Sequence, residues 1–307
     1  MNNLKVSIIG VGRKRNGIGK YIAKYFQKRG VSVTSVLGTT EKTALDAAFS
    51  LREYGIKASA HTDFNIMVEK ERPDMVAIAS PFSTHYEYLM KALRAGLHIF
   101  CEKPFLWQET EDITRLIETI FNMAESKGLT IAMNSQWPFS IPCYEEVCGL
   151  IDRREINNFY IRLSPISIGR EMVIDSMPHA LSMLYCCLGN GEIENVLIER
   201  EEKKITIRFN YIASTNLCKV MIKLKRGETQ PRDFSFGFND KIVSRILDLK
   251  SYSIFFKHEN KIQRIIDPLE LSVNDFIESV SMKREPLIGK PHVMNTAYML
   301  KKIYDLS

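Results

Sequence analysis

Short apolar runs alternate with amphipathic helical segments over the first 134 residues, and this alternation restricts the fold more than any other feature of the chain. In the longest predicted helix, one face carries apolar residues, as in a helix that covers a sheet: Ile113, Leu116, Ile117, Ile120 and Phe121. Short strands separated by helices are typical of a doubly wound parallel sheet, so we predict an α/β domain of the Rossmann type. The predicted strands cover 6–9, 32–37, 57–60, 75–79, 99–101 and 130–133, and the predicted helices cover 19–29, 41–54, 64–70, 84–95 and 111–127.

The pattern changes after Trp137-Pro138. Several later runs alternate apolar and polar residues, which indicates an antiparallel sheet with one open face. A chain of 307 residues also exceeds the size to which one core usually grows. We therefore predict two domains, a dinucleotide-binding domain at 1–134 and an α+β domain for substrate binding and oligomerisation at 135–307. In the second domain, strands are predicted at 156–163, 194–199, 204–211, 217–224, 251–257 and 261–266, and helices at 142–151, 175–188, 269–282 and 291–305.

Composition argues against several classes of protein. The chain has 45% hydrophobic and 25% charged residues, with a formal charge of +6. Basic and acidic residues are interspersed, which argues against a nucleic-acid-binding surface. No apolar run reaches the roughly 18 residues that cross a bilayer, and no hydrophobic leader precedes the first strand. The six cysteines show no Cys-x-x-Cys spacing. We expect a cytoplasmic protein that binds no metal, membrane or nucleic acid.

A glycine-rich turn joins the first predicted strand to the first helix. Gly10 permits the tight turn, and Gly12 lets the backbone approach a pyrophosphate at the start of the helix. The usual third glycine is displaced by an insertion, so its role passes to Gly17 or Gly19. This turn predicts a dinucleotide cofactor.

The end of the second predicted strand indicates which dinucleotide. NAD-binding domains place an acid there for the ribose 2′-hydroxyl, whereas this chain has Thr39 and Thr40. With Lys42 and Arg13, these residues offer the donors and cations that a 2′-phosphate needs. We therefore predict NADP in preference to NAD. In the alternative interpretation, the threonines cap the next helix, and Glu41 takes the ribose position.

Two further strands end in polar motifs. The run Ile99–Phe100–Cys101 is followed by Glu102-Lys103-Pro104, and 75–79 by Ser80-Pro81-Phe82-Ser83-Thr84-His85. Ligands of α/β sheets bind beyond the carboxyl ends of the strands. Together with the glycine loop, these motifs resemble the Gfo/Idh/MocA family of nicotinamide-dependent oxidoreductases, which carries a strand-end Glu-Lys-Pro and a Pro-x-x-x-His.

The resemblance extends over nearly the whole chain and implies the same two-domain division. It implies that Ser80, Pro81, His85, Glu102 and Lys103 lie at the cofactor. It also implies a homodimer or homotetramer, which the open second sheet would form by pairing with its copy. In the alternative interpretation, His85 packs beneath the Ser80-Pro81 turn.

Lys103, Asp175 and His179 are the candidate catalytic residues. Asp175 and His179 are four residues apart, which places them on one face of a helix. The family carries an Asp-x-x-x-His helix that faces the nicotinamide, although Met177 stands here for its usual glycine. A lysine or a histidine can exchange the proton that accompanies hydride transfer. We predict Lys103 and His179 for the proton and Asp175 for orientation. A surface ion pair and a capped surface helix are the structural alternatives.

Gln136 and Trp137 follow the sixth predicted strand and are candidate substrate ligands. Many relatives place an arginine near this point, so Gln136 suggests a neutral or less anionic substrate. Trp137 is a substrate platform or an anchor between the domains. Arg170 and Glu171 either reach the pocket or are loop charges.

The leading functional hypothesis is an NADP(H)-dependent enzyme that interconverts a secondary alcohol and a ketone on a sugar, a polyol or a similar small molecule. One alternative is an imine reductase of the thiazolinyl imide reductase type. The other is a non-catalytic regulator that binds a dinucleotide. Retention of Lys103, Asp175 and His179 favours the carbonyl reaction.

Overall fold

The computed structural model describes residues 4–12, 17–109, 112–214 and 216–307. The chain divides into two compact units. The first contains Met1–Asn134 and Leu269–Val293, and the second contains Ser135–Pro268 and Met294–Ser307. Arg13, which was predicted to bind the cofactor, lies outside the described residues.

The first unit is built on a parallel sheet. Within the described residues, six strands lie in the order β3-β2-β1-β4-β5-β6, which is the order of a Rossmann-type sheet. The predicted fold class of this domain is confirmed. All four residues of β4 are buried, because helices cover both faces of a parallel sheet. The carboxyl ends of β5 and β6 lie side by side, with Glu102 opposite Asn134. The strands are β1 (Lys5–Ile9), β2 (Ser32–Leu37), β3 (Ser59–His61), β4 (Met75–Ile78), β5 (His98–Glu102) and β6 (Ile131–Asn134).

The helices of the first unit include one that returns from the far end of the chain. The early helices are α1 (Gly19–Lys28), α2 (Glu41–Ser50), α3 (Phe64–Glu71), α4 (His85–Arg94) and α5 (Ile113–Ser126). They are joined by α8 (Pro268–Met282), which places Phe276 in the core. The Phe276 ring lies 6.2 Å from Phe26 and 5.4 Å from Phe100, between ring centroids.

This return corrects the predicted domain boundary, which assigned all of 135–307 to the second domain. Leu269, Val273, Phe276 and Ile277 are buried in the core cluster of the first unit. Burial of such large apolar side chains stabilises a fold by roughly 1.5–3 kcal/mol each. The apolar face of α8 therefore belongs to the sheet of the first unit.

The second unit contains a larger, mostly antiparallel sheet. Within the described residues, eight strands lie in the order β14-β13-β12-β11-β7-β10-β9-β8. Only β7 and β10 pair in parallel among the strand pairs of this sheet in the described residues. Its strands are β7 (Asn158–Leu163), β8 (Gly191–Glu201), β9 (Lys204–Ala213), β10 (Leu217–Lys225), β11 (Ser235–Phe238), β12 (Lys241–Asp248), β13 (Ser253–His258) and β14 (Lys261–Ile265).

The hairpin formed by β11 and β12 was not predicted. Its signal is the alternation of Phe234, Phe236 and Phe238, followed by a turn at Asn239, which has a φ of 53°. All three phenylalanines are buried on the inner face of the sheet. The remaining helices are α6 (Ile141–Cys148), α7 (Glu171–Leu188) and α9 (Lys290–Leu306). Among the described residues, no helix has the length and apolar character needed to span a membrane.

Candidate active site

The glycine turn after β1 fits closely against the neighbouring strand. Gly10 has a φ of +92°, and a Cβ atom there would lie 2.5 Å from the backbone nitrogen of Ser80. Such a contact is impossible without movement of the β4 backbone. Gly10 is therefore required both for its left-handed conformation and for the close approach of β1 and β4.

Gly19, and not Gly17, has the position expected of the third glycine of the turn. It begins α1, and a Cβ atom there would lie 2.9 Å from Cα of Val11. Gly19 thus allows the close packing of helix and strand for which dinucleotide-binding turns use their third glycine. Gly17 precedes the helix and is half-buried. Gly12 is exposed, and a Cβ atom there would make only an ordinary contact of 3.5 Å with Thr43.

The turn after β2 shows that one predicted cofactor ligand is also a helix cap. The hydroxyl of Thr40 accepts a hydrogen bond from the backbone nitrogen of Thr43 at 3.2 Å, and the Thr43 hydroxyl accepts one from the backbone nitrogen of Thr40 at 3.0 Å. This capping box satisfies the first turn of α2. Thr39, Thr40 and Lys42 are all exposed. Thr40 therefore caps α2, as the alternative interpretation proposed.

His85 packs beneath the turn after β4, as the alternative interpretation had it. Its ring is fully buried, and Nε2 lies 3.0 Å from the carbonyl oxygen of Ser80. Nδ1 lies 2.9 Å from the carbonyl oxygen of Pro104. Ser80 itself is buried, with its hydroxyl 2.7 Å from that of Thr84. The imidazole therefore joins the backbone of the β4 turn to the backbone that follows Lys103.

Glu102 is fixed by a chain of buried polar side chains. Its carboxylate is only 8% exposed and accepts a hydrogen bond from the amide of Asn134. The amide oxygen of Asn134 in turn accepts a hydrogen bond of 2.9 Å from the hydroxyl of Ser272. Lys103 follows directly, is half-buried and forms a cis peptide bond with Pro104.

The sequence analysis did not identify Asn134 and Ser272 as partners of Glu102. A polar residue at the end of the apolar strand β6 was a local signal for Asn134. Ser272 gave no such signal, because α8 reaches the first unit from a distant part of the chain.

In the second unit, Asp175 and His179 lie on α7 with a buried serine beside the imidazole. Nδ1 of His179 is 3.2 Å from the hydroxyl of Ser135, and Oδ2 of Asp175 accepts from the hydroxyl of Ser167 at 3.4 Å. Both side chains are half-buried. The serine contact orients the ring of His179.

The start of α7 differs from the prediction. The helix begins at Glu171, not at 175, so Pro178 is an interior residue and not part of the first turn. The earlier start follows from burial, because Met172, Val173 and Ile174 are all buried. Pro178 lies between Asp175 and His179 and has no N–H. The carbonyl oxygen of Ile174 therefore lacks its helical hydrogen-bond donor.

Gln136 and Trp137 differ in exposure. Gln136 is half-buried, whereas Trp137 is only 4% exposed and stacks on Phe234 with ring centroids 3.5 Å apart. Both rings belong to the second unit, so this contact anchors Trp137 within that unit. Arg170 lies over the ring of Tyr304, and its Nη2 donates to the Tyr304 carbonyl at 2.8 Å.

Arg232 is a second-unit residue that the sequence analysis missed. It precedes β11 and lies within electrostatic reach of Asp175. Burial lowers the pKa of its guanidinium, and the charge of Asp175 opposes that shift. In the described ranges, no three or more His, Cys, Asp or Glu side chains cluster in a way that could hold a metal ion.

Comparison with known proteins identifies the first unit. The sequence profile of the Gfo/Idh/MocA group, described as an oxidoreductase family with an NAD-binding Rossmann fold, matches residues 4–135. Over these residues the chain is similar to the Gfo/Idh/MocA oxidoreductases. The glycine turn fits this assignment, because Gly10 allows the close approach of β1 and β4, and Gly19 allows the close packing of α1 on the end of β1. The first unit is thus an NAD(P)-binding domain.

Individual Gfo/Idh/MocA relatives include sugar dehydrogenases. D-glucoside 3-dehydrogenase of Escherichia coli is 33% identical over 101 residues, which cover 33% of this chain and 27% of the relative. UDP-N-acetylglucosamine 3-dehydrogenase of Acidithiobacillus ferrooxidans is 24% identical over 206 residues, which cover 63% of this chain and 57% of the relative. The alignments therefore span well under two thirds of the length of these curated relatives.

Solved structures show the same fold over nearly the whole chain. The A. ferrooxidans enzyme superimposes with a TM-score of 0.73 at 18% identity, covering 99% of this chain and 98% of that one. A 3-ketoreductase of Actinomadura kijaniata, solved with TDP-benzene and NADP, gives a TM-score of 0.68 at 16% identity, covering 97% of this chain and 96% of that one. The second unit therefore shares the fold of these proteins.

Proposed function

We propose that this chain is an NADP(H)-dependent oxidoreductase that interconverts a secondary alcohol and a ketone on a sugar, a polyol or a similar polar small molecule. The observation that carries the proposal is Glu102-Lys103 at the end of β5, in an NAD(P)-binding domain where Asn134 holds the carboxylate of Glu102. The relatives named as sugar 3-dehydrogenases support a sugar substrate.

Each candidate residue has a separate role in the proposal. The nicotinamide, when bound, exchanges a hydride with the carbon of the substrate. The ammonium of Lys103 hydrogen-bonds the substrate oxygen and stabilises the charge that develops on it. The imidazole of His179, oriented by Ser135, holds or releases the proton of that oxygen. Asp175 binds a neighbouring substrate hydroxyl.

Turnover of single and double variants tests the reaction. Lys103→Met and His179→Gln should each lower kcat by about 10²–10⁴-fold, with NADPH affinity retained in His179→Gln. If both residues act on one reaction, the double variant should be little slower than the slower single variant. Lys57→Met, at an exposed lysine, is the control. Unchanged turnover in Lys103→Met would contradict the proposal.

Preference for NADP rests on the turn after β2. No acid ends this strand, and the exposed Thr39, Thr40 and Lys42 can donate to a 2′-phosphate at the start of α2. The hydroxyl of Thr43 donates to the carbonyl oxygen of Thr40 at 2.9 Å. The Thr40 hydroxyl therefore donates to the Thr43 hydroxyl at 3.0 Å, and a bound 2′-phosphate would take that proton in exchange for this contact.

Fluorescence titration with NADPH and NADH tests this preference. NADPH should bind more tightly, and Lys42→Glu should weaken NADPH binding about tenfold while leaving NADH binding unchanged. Lys57→Glu is the matched charge control, because Lys57 is an exposed lysine outside this turn. Equal or tighter binding of NADH to the unmodified chain would overturn the preference.

We further propose that the outer face of the second sheet binds a second copy of this chain. Leu197, Met221, Tyr160 and Ile242 lie in one row across the strands, with Arg208 between Leu197 and Met221 and Gly237 between Tyr160 and Ile242. The four apolar side chains line a hollow of about 490 Å³. Both charge signs lie in or beside this row, because Arg208 pairs with Glu199 and Arg162 pairs with Asp233. A surface with an apolar centre and both signs around it is complementary to itself about a two-fold axis.

The oligomeric state tests this interface. The unmodified chain should elute as a dimer or tetramer in size-exclusion chromatography with light scattering. Met221→Asp should yield a smaller species, because it buries a charge at the centre of the row. Leu150→Asp, at a side chain that is 88% exposed, should not change the mass. A monomeric wild-type chain would refute the interface.

A further inference from the structure

Arg232 and Arg245 of the second unit are joined through the backbone. Arg245 lies on β12, and its Nη2 donates to the carbonyl oxygen of Arg232 at 2.5 Å. The Arg245 guanidinium also lies 5.6 Å from the ring centroid of Trp137 and 5.9 Å from that of Phe234. The aromatic rings and the carbonyl thus fix Arg245 in one position, and Arg245 in turn holds the main chain that carries Arg232.

Arg245 is half-buried and forms no ion pair with a carboxylate among the described residues, although the charges of Asp267 and Asp233 act on its guanidinium. Its Nε is buried and has no hydrogen-bond partner in the part of the chain that the structure describes. Burial lowers the pKa of its guanidinium, and the neighbouring charge of Arg232 acts in the same direction. Asp233, one of the acids that oppose this shift, is itself ion-paired with Arg162 at 2.6 Å. Such a buried donor and charge are costly unless something compensates them.

Arg232 connects this pair with the candidate catalytic helix. Its electrostatic partner is Asp175, which lies one helical turn before His179 on α7. The arginine pair therefore places positive charge beside a residue that the proposed reaction uses to bind substrate.

We propose that Arg232 and Arg245 form a binding site for an oxyanion of the substrate, a phosphoryl or carboxylate group attached to the sugar. Guanidinium groups bind both kinds of oxyanion through paired N–H donors. An oxyanion there accepts hydrogen bonds from the guanidinium donors and balances the charge of the pair. The inference rests on the proposed function, because it names the class of sugar that the enzyme accepts. It differs from the expectation of a neutral or less anionic substrate, which was drawn from Gln136 alone.

Calorimetric titration with two probes tests the site. Pyrophosphate represents the phosphoryl group and glucuronate represents the carboxylate, each titrated into the full chain saturated with NADPH. Arg232→Met should weaken binding of the recognised probe by about 10- to 100-fold. Arg232→Lys should restore part of the affinity, because it keeps the charge and loses the fork of donors. Pyrophosphate that binds at the glycine turn does so equally in the unmodified chain and in the Arg232 variants. It therefore does not change the difference in affinity between them.

The control is Arg154→Met, because the side chain of Arg154 is 82% exposed and pairs with Asp152 on the surface. It should bind both probes as the unmodified chain does. Arg245→Met should also weaken binding, and its circular dichroism spectrum shows whether the variant is folded. If Arg245→Met does not fold, Arg232→Met and Arg232→Lys decide the question. Equal affinity of Arg232→Met and the unmodified chain for both probes would overturn the proposal.

Activity measurements separate this inference from the proposed function. Suppose that the unmodified chain oxidises neutral sugars with NADP but binds both probes no more tightly than Arg232→Met does. The oxyanion site is then refuted, and the proposed reaction stands. If the arginine-dependent binding is observed but no sugar is oxidised, the oxyanion site stands and the reaction fails.

Discussion

Nε2 of His85 lies 3.0 Å from the carbonyl oxygen of Ser80, beneath the turn that ends β4. Its other ring nitrogen faces the carbonyl oxygen of Pro104. One fully buried side chain thus connects two turns that the proposed function places at the cofactor. Through these backbone contacts, His85 can set the position of Lys103.

His85→Phe should destabilise the first unit, because it removes a buried ring donor from backbone carbonyl oxygens. Each buried polar group left without a partner costs about 1–3 kcal/mol. Urea unfolding followed by circular dichroism measures the loss. His85→Gln retains one donor and should lose less. A His85→Phe protein as stable as the unmodified chain would show that the imidazole does not support these turns.

Stability should also fall at acidic pH through His98. Burial lowers the pKa of this histidine below its ordinary value of 6.5, and the charge of Asp74 opposes the shift. Its Nδ1 accepts a hydrogen bond from the backbone nitrogen of Thr130 at 2.9 Å, which requires an unprotonated Nδ1. The unfolded chain then binds more protons than the folded one, so this contribution is present above the unfolded pKa and lost as the pH falls towards the folded pKa.

A comparison of unfolding free energy with pH isolates this effect. Between pH 7.5 and 5, the difference in stability between the unmodified chain and His98→Asn should shrink, because Asn can accept the same hydrogen bond but does not titrate. A constant difference over this range would contradict the assignment to His98.

Two variants of the glycine turn distinguish an effect on stability from an effect on cofactor binding. Gly10→Ala places Cβ 2.5 Å from the Ser80 nitrogen in a left-handed conformation, so it should lower both stability and NADPH affinity. Gly12→Ala meets only an ordinary contact, 3.5 Å from Thr43, so it should keep the melting temperature and lose affinity alone. Thermal unfolding and fluorescence titration measure the two properties. Wild-type affinity in Gly12→Ala would remove Gly12 from the cofactor site.

The polar chain from Ser272 to Glu102 predicts a graded effect. Asn134→Leu removes a donor from the buried carboxylate of Glu102 and should cost about 2–3 kcal/mol, whereas Ser272→Ala removes one neutral hydrogen bond and should cost about 1 kcal/mol. In a Glu102→Gln background, Asn134→Leu should cost less, since no charge loses its partner. Urea unfolding of the unmodified chain, Asn134→Leu, Glu102→Gln and the double variant gives the coupling energy between Asn134 and Glu102. An unchanged cost in the Gln background would show that Asn134 does not compensate the charge.

The sequence predicted the features that depend on local periodicity. Alternating apolar strands and helices predicted the parallel sheet and placed Glu102 and Lys103 at the end of β5. The turn after β1 predicted the dinucleotide site, because glycine spacing is a local property of the backbone. The family match over residues 4–135 agrees with these predictions.

Contacts between distant segments were not predictable in this way. Ser272 reaches Asn134 only because α8 returns to the first sheet, and no pattern near Ser272 indicates that return. The side of the sheet on which Arg245 lies depends on the hairpin of β11 and β12, which the sequence analysis missed. The third glycine was ambiguous for a related reason, because only the contact of Gly19 with Val11 distinguishes it from Gly17.

The return of α8 also determines whether cleavage of the chain can separate the two units. The chain passes between the two units after Asn134, after Pro268 and again after Val293. Phe276, which completes the aromatic core around Phe26 and Phe100, leaves the ribosome only after most of the second unit has been made. Neither unit is complete before Val293 has been made. No single cut, by a protease or in the gene, can release either of them whole.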